Sequence, residues 1–260
     1  MCRRMERGKK IFILLILALL FCNCQTKAQD KSNASTWTFC FSDTMYVDID
    51  STEHFYIFSP KYKTMDLACG VRPDTLDSSI IFCVPAAFTG KVLDTFCHEN
   101  IAGDHVSGGQ LLKGYVCEAN HLGFVCMKDG SWQFLLSDDY NAFIQHNGDI
   151  ACAFEQAAVI WCDTVFMPRL YKNPKKTEYF RSLCQMQDGT LRLVMTKEKT
   201  PFGDYLQLLC NELHVHHAIY MDMGPGWNYS WYRGDNGRQH DIFPWKRFTV
   251  YQTNWLIFEQ

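Results

Sequence analysis

The chain has 260 residues, 47% of them hydrophobic and 15% aromatic, which is enough apolar material for one sizeable core. Its 25 Lys and Arg stand against 28 Asp and Glu, a formal charge of -3, so no global positive field recommends nucleic acid or an anionic membrane surface as a partner. Any anion site has to be local.

Arg3, Arg4, Arg7, Lys9 and Lys10 lead into the apolar run 11–21, which is shorter than the roughly 20 residues of a membrane helix. Residues 1–28 therefore read as a secretory signal peptide, with small Thr26 and Ala28 favouring a cut after Ala28. The alternative is a lipoprotein cut before Cys24. Either way the mature chain is expected outside the cytoplasm, periplasmic or secreted, or held by a lipid on Cys24, with no integral membrane segment. Residues 29–36 read as a flexible leader and 37–260 as one domain. Exported thiols can oxidise, yet Cys69, Cys83, Cys117, Cys126, Cys152, Cys162, Cys184 and Cys210 mostly sit in apolar or alternating runs, where a free thiol behaves as a small core residue. Cys117 and Cys126, flanking an expected hairpin, are the best candidate disulfide pair.

From Trp37 onward the pattern is mostly period-two. "MYVDID", "HFYIFS", "MDLACGV", "SIIFCVPAAF", "LLKGYVCEA", "GFVCMKDGSWQFL" and "TLRLVMT" all read as strands. Asp129-Gly130 and Asp188-Gly189, each between apolar flanks, predict two hairpins. A helix is expected near 138–144, a short turn over 175–180, and a second helix over 204–213, where apolar residues recur at 205, 206, 208, 209 and 213 behind Gly203 and Asp204. The fold class is α+β: strand-rich mixed sheets, a few flanking helices, and a C-terminal βαβ unit of "TLRLVMT", the helix and "HHAIYMDM". In that unit residues 196–200 and 222–226 fall at the carboxyl ends of neighbouring strands, where ligands usually bind.

The loop "DMGPGWNYSWYR" follows directly. Gly224 and Gly226 permit close backbone approach to phosphate oxygens, and Pro225 stiffens the turn; a plain tight turn between strands is the competing reading. His214, His216 and His217 form an H-x-H-H cluster, but strand alternation should send His216 and His217 to opposite faces, and no nearby acid completes a metal shell. Without any CxxC, a structural zinc site is not expected, and nothing in the ligand spacing calls for a metal or another cofactor. "KNPKK" reads as a solvated loop, and "NAS" and "NYS" match a glycosylation pattern that a bacterial-looking export signal makes uninformative.

The run 181–230, "RSLCQMQDGTLRLVMTKEKTPFGDYLQLLCNELHVHHAIYMDMGPGWNYS", resembles the carboxy-terminal signature of the phosphodiester glycosidase family. That signature is an Arg followed by Ser or Thr, an Asp-Gly hairpin, a strand, a Gly before a helix, and a strand entering an Asp-Gly-Gly-x-Ser loop. Upstream, "IIFCVPAAFTG" and "HVSGGQLLKG" resemble the family's Asn-Gly-Gly-Phe-Phe strand and the Gly-rich segment after it, so the likeness extends over about residues 45–258. The chain departs from the pattern at Asp222-Met223-Gly224, at the displaced serine, for which Asn228 or Ser230 stands in, and at Pro85-Ala86-Ala87. These departures mark a divergent bacterial branch.

The resemblance implies an exported hydrolase that cleaves a sugar-1-phosphodiester of the N-acetylglucosamine type, its partner being a carbohydrate phosphodiester or glycan. Such chemistry needs fixed donors on the phosphate and carboxylates near the anomeric carbon. Arg181 is the phosphate fork, followed by Ser182, against the competing reading of a surface arginine. Asp222 is the first carboxylate, against an Asp that only bonds its own turn. Glu155, set among apolar residues where burial would raise its pKa, is the second, against a structural role. His105, Gly108 and Gly109 are candidates for lining the same cleft, Arg72 for a second phosphate contact, and Gly224, Gly226, Asn228 and Ser230 for the loop cradle. Trp227 and Trp231 are candidates for stacking on a sugar, with core packing as the competing role. A different class stays open beside the enzyme: a noncatalytic carbohydrate or cell-envelope binding protein on the same fold.

Overall fold

The strand Thr64–Cys69 alternates between buried and more exposed positions as a period-two pattern predicts, whereas Ile80–Pro85, Leu122–Met127 and Asn254–Glu259 are buried along nearly their whole length, as strands covered on both faces are. The computed structural model describes residues 40–89, 95–117, 122–166, 173–223, 229–243 and 252–260. Within these, the residues from Phe41 to Gln260 pack as one unit. No helix among the described residues is long and apolar enough to cross a membrane.

The largest sheet has seven strands in the order β1 (Val47–Ser51), β2 (Phe55–Pro60), β14 (Leu191–Thr196), β13 (Arg181–Met186), β16 (Val215–Tyr220), β10 (Ala158–Trp161) and β11 (Thr164–Val165). A second sheet runs β18 (Gln239–Asp241), β17 (Trp231–Arg233), β4 (Ile80–Pro85), β19 (Asn254–Glu259) and β3 (Thr64–Cys69). A third runs β6 (Gln110–Leu112), β5 (His105–Ser107), β9 (Ile150–Gln156), β7 (Leu122–Met127) and β8 (Trp132–Leu136). A short ribbon joins β12 (Thr177–Glu178) to β15 (Thr200–Pro201), and the two helices are α1 (Ser137–His146) and α2 (Phe202–Asn211). The chain is thus mostly β, with fewer helices than an α+β reading suggests. Among the described residues the strand pairings are antiparallel, where mixed sheets were expected, and the one parallel contact among them is the isolated bridge between Ala102 and Tyr115.

Both Asp-Gly hairpins form. Gly130 and Gly189 take φ of +85° and +80°, and Asp129 and Asp188 each accept hydrogen bonds from the backbone and hydroxyl of the residue two positions on, Ser131 and Thr190. Helix α2 also forms where the apolar spacing places it. Phe202, Tyr205, Leu206 and Leu209 are buried against Phe55, Phe180, Val194 and Tyr220, a contribution of about 1.5–3 kcal/mol for each large apolar side chain. It connects β14 to β16, but these strands are not neighbours. β13 lies between them, antiparallel to both, so the expected βαβ unit is a split one.

The anticipated cysteine pair does not form. Cys126 stands opposite Cys152 across β7 and β9, and the ten cysteines from Cys40 onward are all free. At Gly123, packing leaves no room for a side chain. Gly123 of β7 lies under the fully buried ring of Tyr140 from α1, and a Cβ there would stand 2.0 Å from Tyr140 Cδ2. Tyr140 is tethered at its far end, its hydroxyl donating to Asp104 O at 2.9 Å, so the ring has little freedom to retreat. Gly123→Val is therefore expected to lower stability by about 1–3 kcal/mol or more, read as a fall in the denaturant midpoint at unchanged slope.

Candidate functional site

Antiparallel pairing puts the amino end of β13 and the carboxyl ends of β14 and β16 on one edge of the large sheet. Arg181 therefore lies beside Met195 and next to the strand end that carries Asp222, and Met221 N donates to Arg181 O at 2.9 Å. Alternation then sorts the side chains. Ser182 faces α2, where its hydroxyl is hydrogen-bonded to that of Tyr205, leaving it a packing role. Arg181 points away from α2, and Tyr220, Asp222 and, from the second sheet, Cys83 all act on its charge.

Arg181 is fully buried, yet its Nε, Nη1 and Nη2 have no hydrogen-bond partner among the described residues. These are three of the six buried side-chain polar atoms left unsatisfied there, so the deficit is concentrated on one cation. The contrast with Arg233, also buried, is direct. That guanidinium donates to the carbonyls of Ile80, Thr75, Gly237 and Asp77 at 2.5–3.3 Å. Burial lowers the pKa of Arg181 to about 10, opposed by the nearby Tyr220 and Asp222, so it is cationic at neutral pH.

Asp222 is the complementary group. Loss of solvation raises its pKa to about 7, against the lowering effect of a Met223 backbone hydrogen bond, the Arg181 charge and a Thr89 backbone hydrogen bond. Asp222 and Met223 are half-buried at this strand end. The segment after β4 closes the other side. Ala86 O accepts from Asp222 N at 3.3 Å and from Gln156 Nε2 at 3.1 Å, while Asn254 grips Ala87 through both its amide and its carbonyl. Gln156 and Asn254 went unnoticed in the sequence because each is an amide at one end of a largely apolar strand, with no motif around it.

The other expected site residues are placed elsewhere. Glu155 is buried, its pKa raised chiefly by desolvation, and it accepts from Ser137 Oγ at 2.6 Å. It lines a separate cleft of about 230 Å³ with Asp104, Ser137 and Asn141, to which neither Arg181 nor Asp222 contributes. Gly108 and Gly109 form the β5–β6 turn at φ of +56° and +72°, and their N–H groups donate to Asp66 and Ala151. His105 is buried with its ring on His98. Arg72 is exposed and lies 5.0 Å from the centre of the Tyr229 ring. Ser230 is buried, and Trp231 is packed into the core with Trp255 and Ile257. Gly224, Gly226, Trp227 and Asn228 lie outside the described residues.

The histidine cluster behaves differently from its strand pattern. A register shift at Gln185/Met186 opposite His217 and Val215 makes His216 a bulge, and the rings of His216 and His217 end up 4.0 Å apart on one side. An acid is present as well, since Asp163 Oδ1 accepts from His216 Nδ1 at 2.9 Å, while His217 stacks on Trp161.

No sequence-family description matches the chain, and no curated protein matches it significantly in sequence. Solved structures do share its fold. The zebrafish N-acetylglucosamine-1-phosphodiester alpha-N-acetylglucosaminidase catalytic domain, auto-inhibited by its pro-peptide, superimposes with a TM-score of 0.52 at 12% identity, covering 83% of this chain and 82% of that one. A hypothetical protein from Synechocystis gives a TM-score of 0.45 at 9% identity, covering 82% of this chain and 61% of its own. The first establishes a distant relationship of fold.

Proposed function

We propose that the protein is an exported hydrolase of sugar-1-phosphodiesters, of the N-acetylglucosamine type, acting outside the cytoplasm once residues 1–28 are removed. The observation that carries this reading is the buried, unpartnered guanidinium of Arg181 beside a carboxyl whose pKa is raised to about 7. An anion with several acceptor oxygens satisfies such donors, and a bidentate phosphate matches the planar fork of arginine. Asp222 then serves as general base, since a carboxylate with pKa near neutrality is suited to proton transfer there.

In the step this implies, a water oxygen forms a bond to the anomeric carbon and passes a proton to Asp222. The bond from that carbon to the phosphate oxygen breaks, and the phosphomonoester leaves with the electron pair while Arg181 holds its growing negative charge. A phosphate leaves readily as an anion, so a second carboxylate at the leaving oxygen is not required, consistent with Glu155 lying in another cleft. The distant likeness in fold to a phosphodiester glycosidase domain supports the reaction class.

Binding without cleavage is the second reading, favoured by Ala86 and Ala87, which offer no polar side chain to a sugar beside Asp222. Purified protein assayed on a panel of sugar-1-phosphodiesters, nucleotide-sugars included, separates the two. Release of free sugar is the expected result. Saturable binding across the panel with no sugar released from any member would establish the binding protein instead.

A further inference from the structure

Away from the Arg181–Asp222 edge, the fold brings together three side chains that are distant in sequence. Cys69 ends β3, His98 sits on a 3-10 turn over His98–Asn100, and His105 begins β5; their ligating atoms all lie within 4.8 Å of one another. His98 Nδ1 and His105 Nε2 are 3.1 Å apart. Two imidazole nitrogens on a tetrahedral zinc, each about 2.0–2.1 Å from the metal, stand about 3.3–3.4 Å from each other. Very little movement converts the present pair into that edge.

The surroundings hold both rings in place. His105 Nδ1 lies 3.1 Å from Gly103 O, a group that only accepts, so Nδ1 carries the proton and Nε2 turns its lone pair toward His98. The turn bearing His98 is tied by Asn100 Oδ1, which accepts from Cys97 N at 2.6 Å. Phe96 packs edge-on to the His98 ring and lies so close over Gly70 that a Cβ there would come within 2.3 Å of it; at φ +75°, Gly70 is the residue that lets this cover approach Cys69. The cluster also joins the site described above: Gly70 N donates to Thr253 O, and Thr253 Oγ1 is hydrogen-bonded to Thr89 Oγ1 at 3.1 Å, in the segment that faces Asp222.

We propose that Cys69, His98 and His105 form a site for a borderline divalent cation of the zinc type, with a fourth position open to water or another ligand atom. One sulfur and two imidazoles select such a metal over calcium or magnesium, which take oxygen ligands. On binding, the Cys69 thiol releases its proton to solvent and becomes the thiolate ligand. His98 moves its proton from Nδ1 to Nε2, and the metal replaces the hydrogen bond between the rings.

Cobalt titration of the purified, reduced protein tests this, since tetrahedral Co²⁺ reports its ligands by absorption. One equivalent is expected to bind with visible d–d bands and a near-ultraviolet sulfur-to-cobalt band. Added Zn²⁺ should erase both and raise the unfolding temperature. Cys69→Ser should abolish the sulfur band, and His98→Ala should weaken binding by at least about 10-fold with unchanged circular dichroism. The surface pair of Asp163 and His216 is the alternative to exclude, since Cys162, next to Asp163 in the chain, carries an exposed thiol. A sulfur band that survives Cys69→Ser and disappears in Cys162→Ser would overturn the proposal, as would the absence of saturable binding by the wild-type protein. If Cys69→Ser does not fold, unweakened binding by His98→Ala, on its half-buried turn, overturns it equally. Sugar release bears on none of these outcomes, so this proposal and the assigned activity stand or fall separately.

Discussion

Arg181→Met is expected to make the protein more stable and inactive at once. The guanidinium is fully buried without a hydrogen-bond partner among the described residues, so the folded state carries a desolvated cation that the neighbouring Tyr220 and Asp222 only partly offset. Methionine fills a similar volume without that cost, and exchanging buried charge for apolar groups is typically neutral to stabilising by about 1–4 kcal/mol. In a chain of this size each kcal/mol shifts Tm by about 2–4 °C. Function should move the other way. Two charge-assisted hydrogen bonds to a phosphate, at about 1.5–3 kcal/mol each, correspond to a loss of roughly 10²–10⁴ in kcat/KM. Thermal melts and sugar-release kinetics on the same preparations check both halves. A destabilised variant that retained full turnover would show that Arg181 is a structural residue.

Asp222→Asn is expected to cost about 10²–10⁴ in kcat, the usual contribution of a positioned general base, and to remove a pH dependence. Because burial raises the Asp222 pKa to about 7, the wild-type rate should climb about tenfold per pH unit below that value and level off above it, whereas the asparagine variant should be flat. Stability changes with the opposite sign. Below pH 3.8 the carboxyl is protonated whether the chain is folded or not, and it contributes nothing. Between 3.8 and about 7 the unfolded chain gives up the proton while the folded one keeps it, so stability falls as pH rises and then becomes constant. Denaturation midpoints measured from pH 4 to 8 should show this decline in the parent and lack it in Asp222→Asn. A parallel decline in both would remove Asp222 as its source.

Local rules were the legible part of this protein. The Asp-Gly hairpins, α1 and α2 follow from turn chemistry and from apolar spacing within a dozen residues, and the shared sheet edge of Arg181 and Asp222 follows from Arg181 opening β13 and Asp222 coming after β16. What the sequence hid is non-local. Nothing in "TLRLVMT" and "HHAIYMDM" says that β13 slips between them, because hairpin pairing of β13 with β14 and crossover pairing compete for the same strand edge. Periodicity also misplaced the histidines, since one bulged residue reverses alternation at His216. Glu155 and Gln156 are adjacent, and strand alternation sends the first to Ser137 and the second to Ala86; choosing between them required knowing which face met β4. The cluster of Cys69, His98 and His105 escaped because close spacing such as CxxC signals a metal site built on one turn, whereas these ligands come from three separate elements.

The central claim, that the buried donors of Arg181 form an anion site, is tested most directly by calorimetric titration of the wild-type protein and Arg181→Met with a sugar-1-phosphate, the product-like ligand. Saturable one-to-one binding by the wild type and none by the folded variant is the predicted result. Equal binding by the two proteins, or none by the wild type, would contradict it.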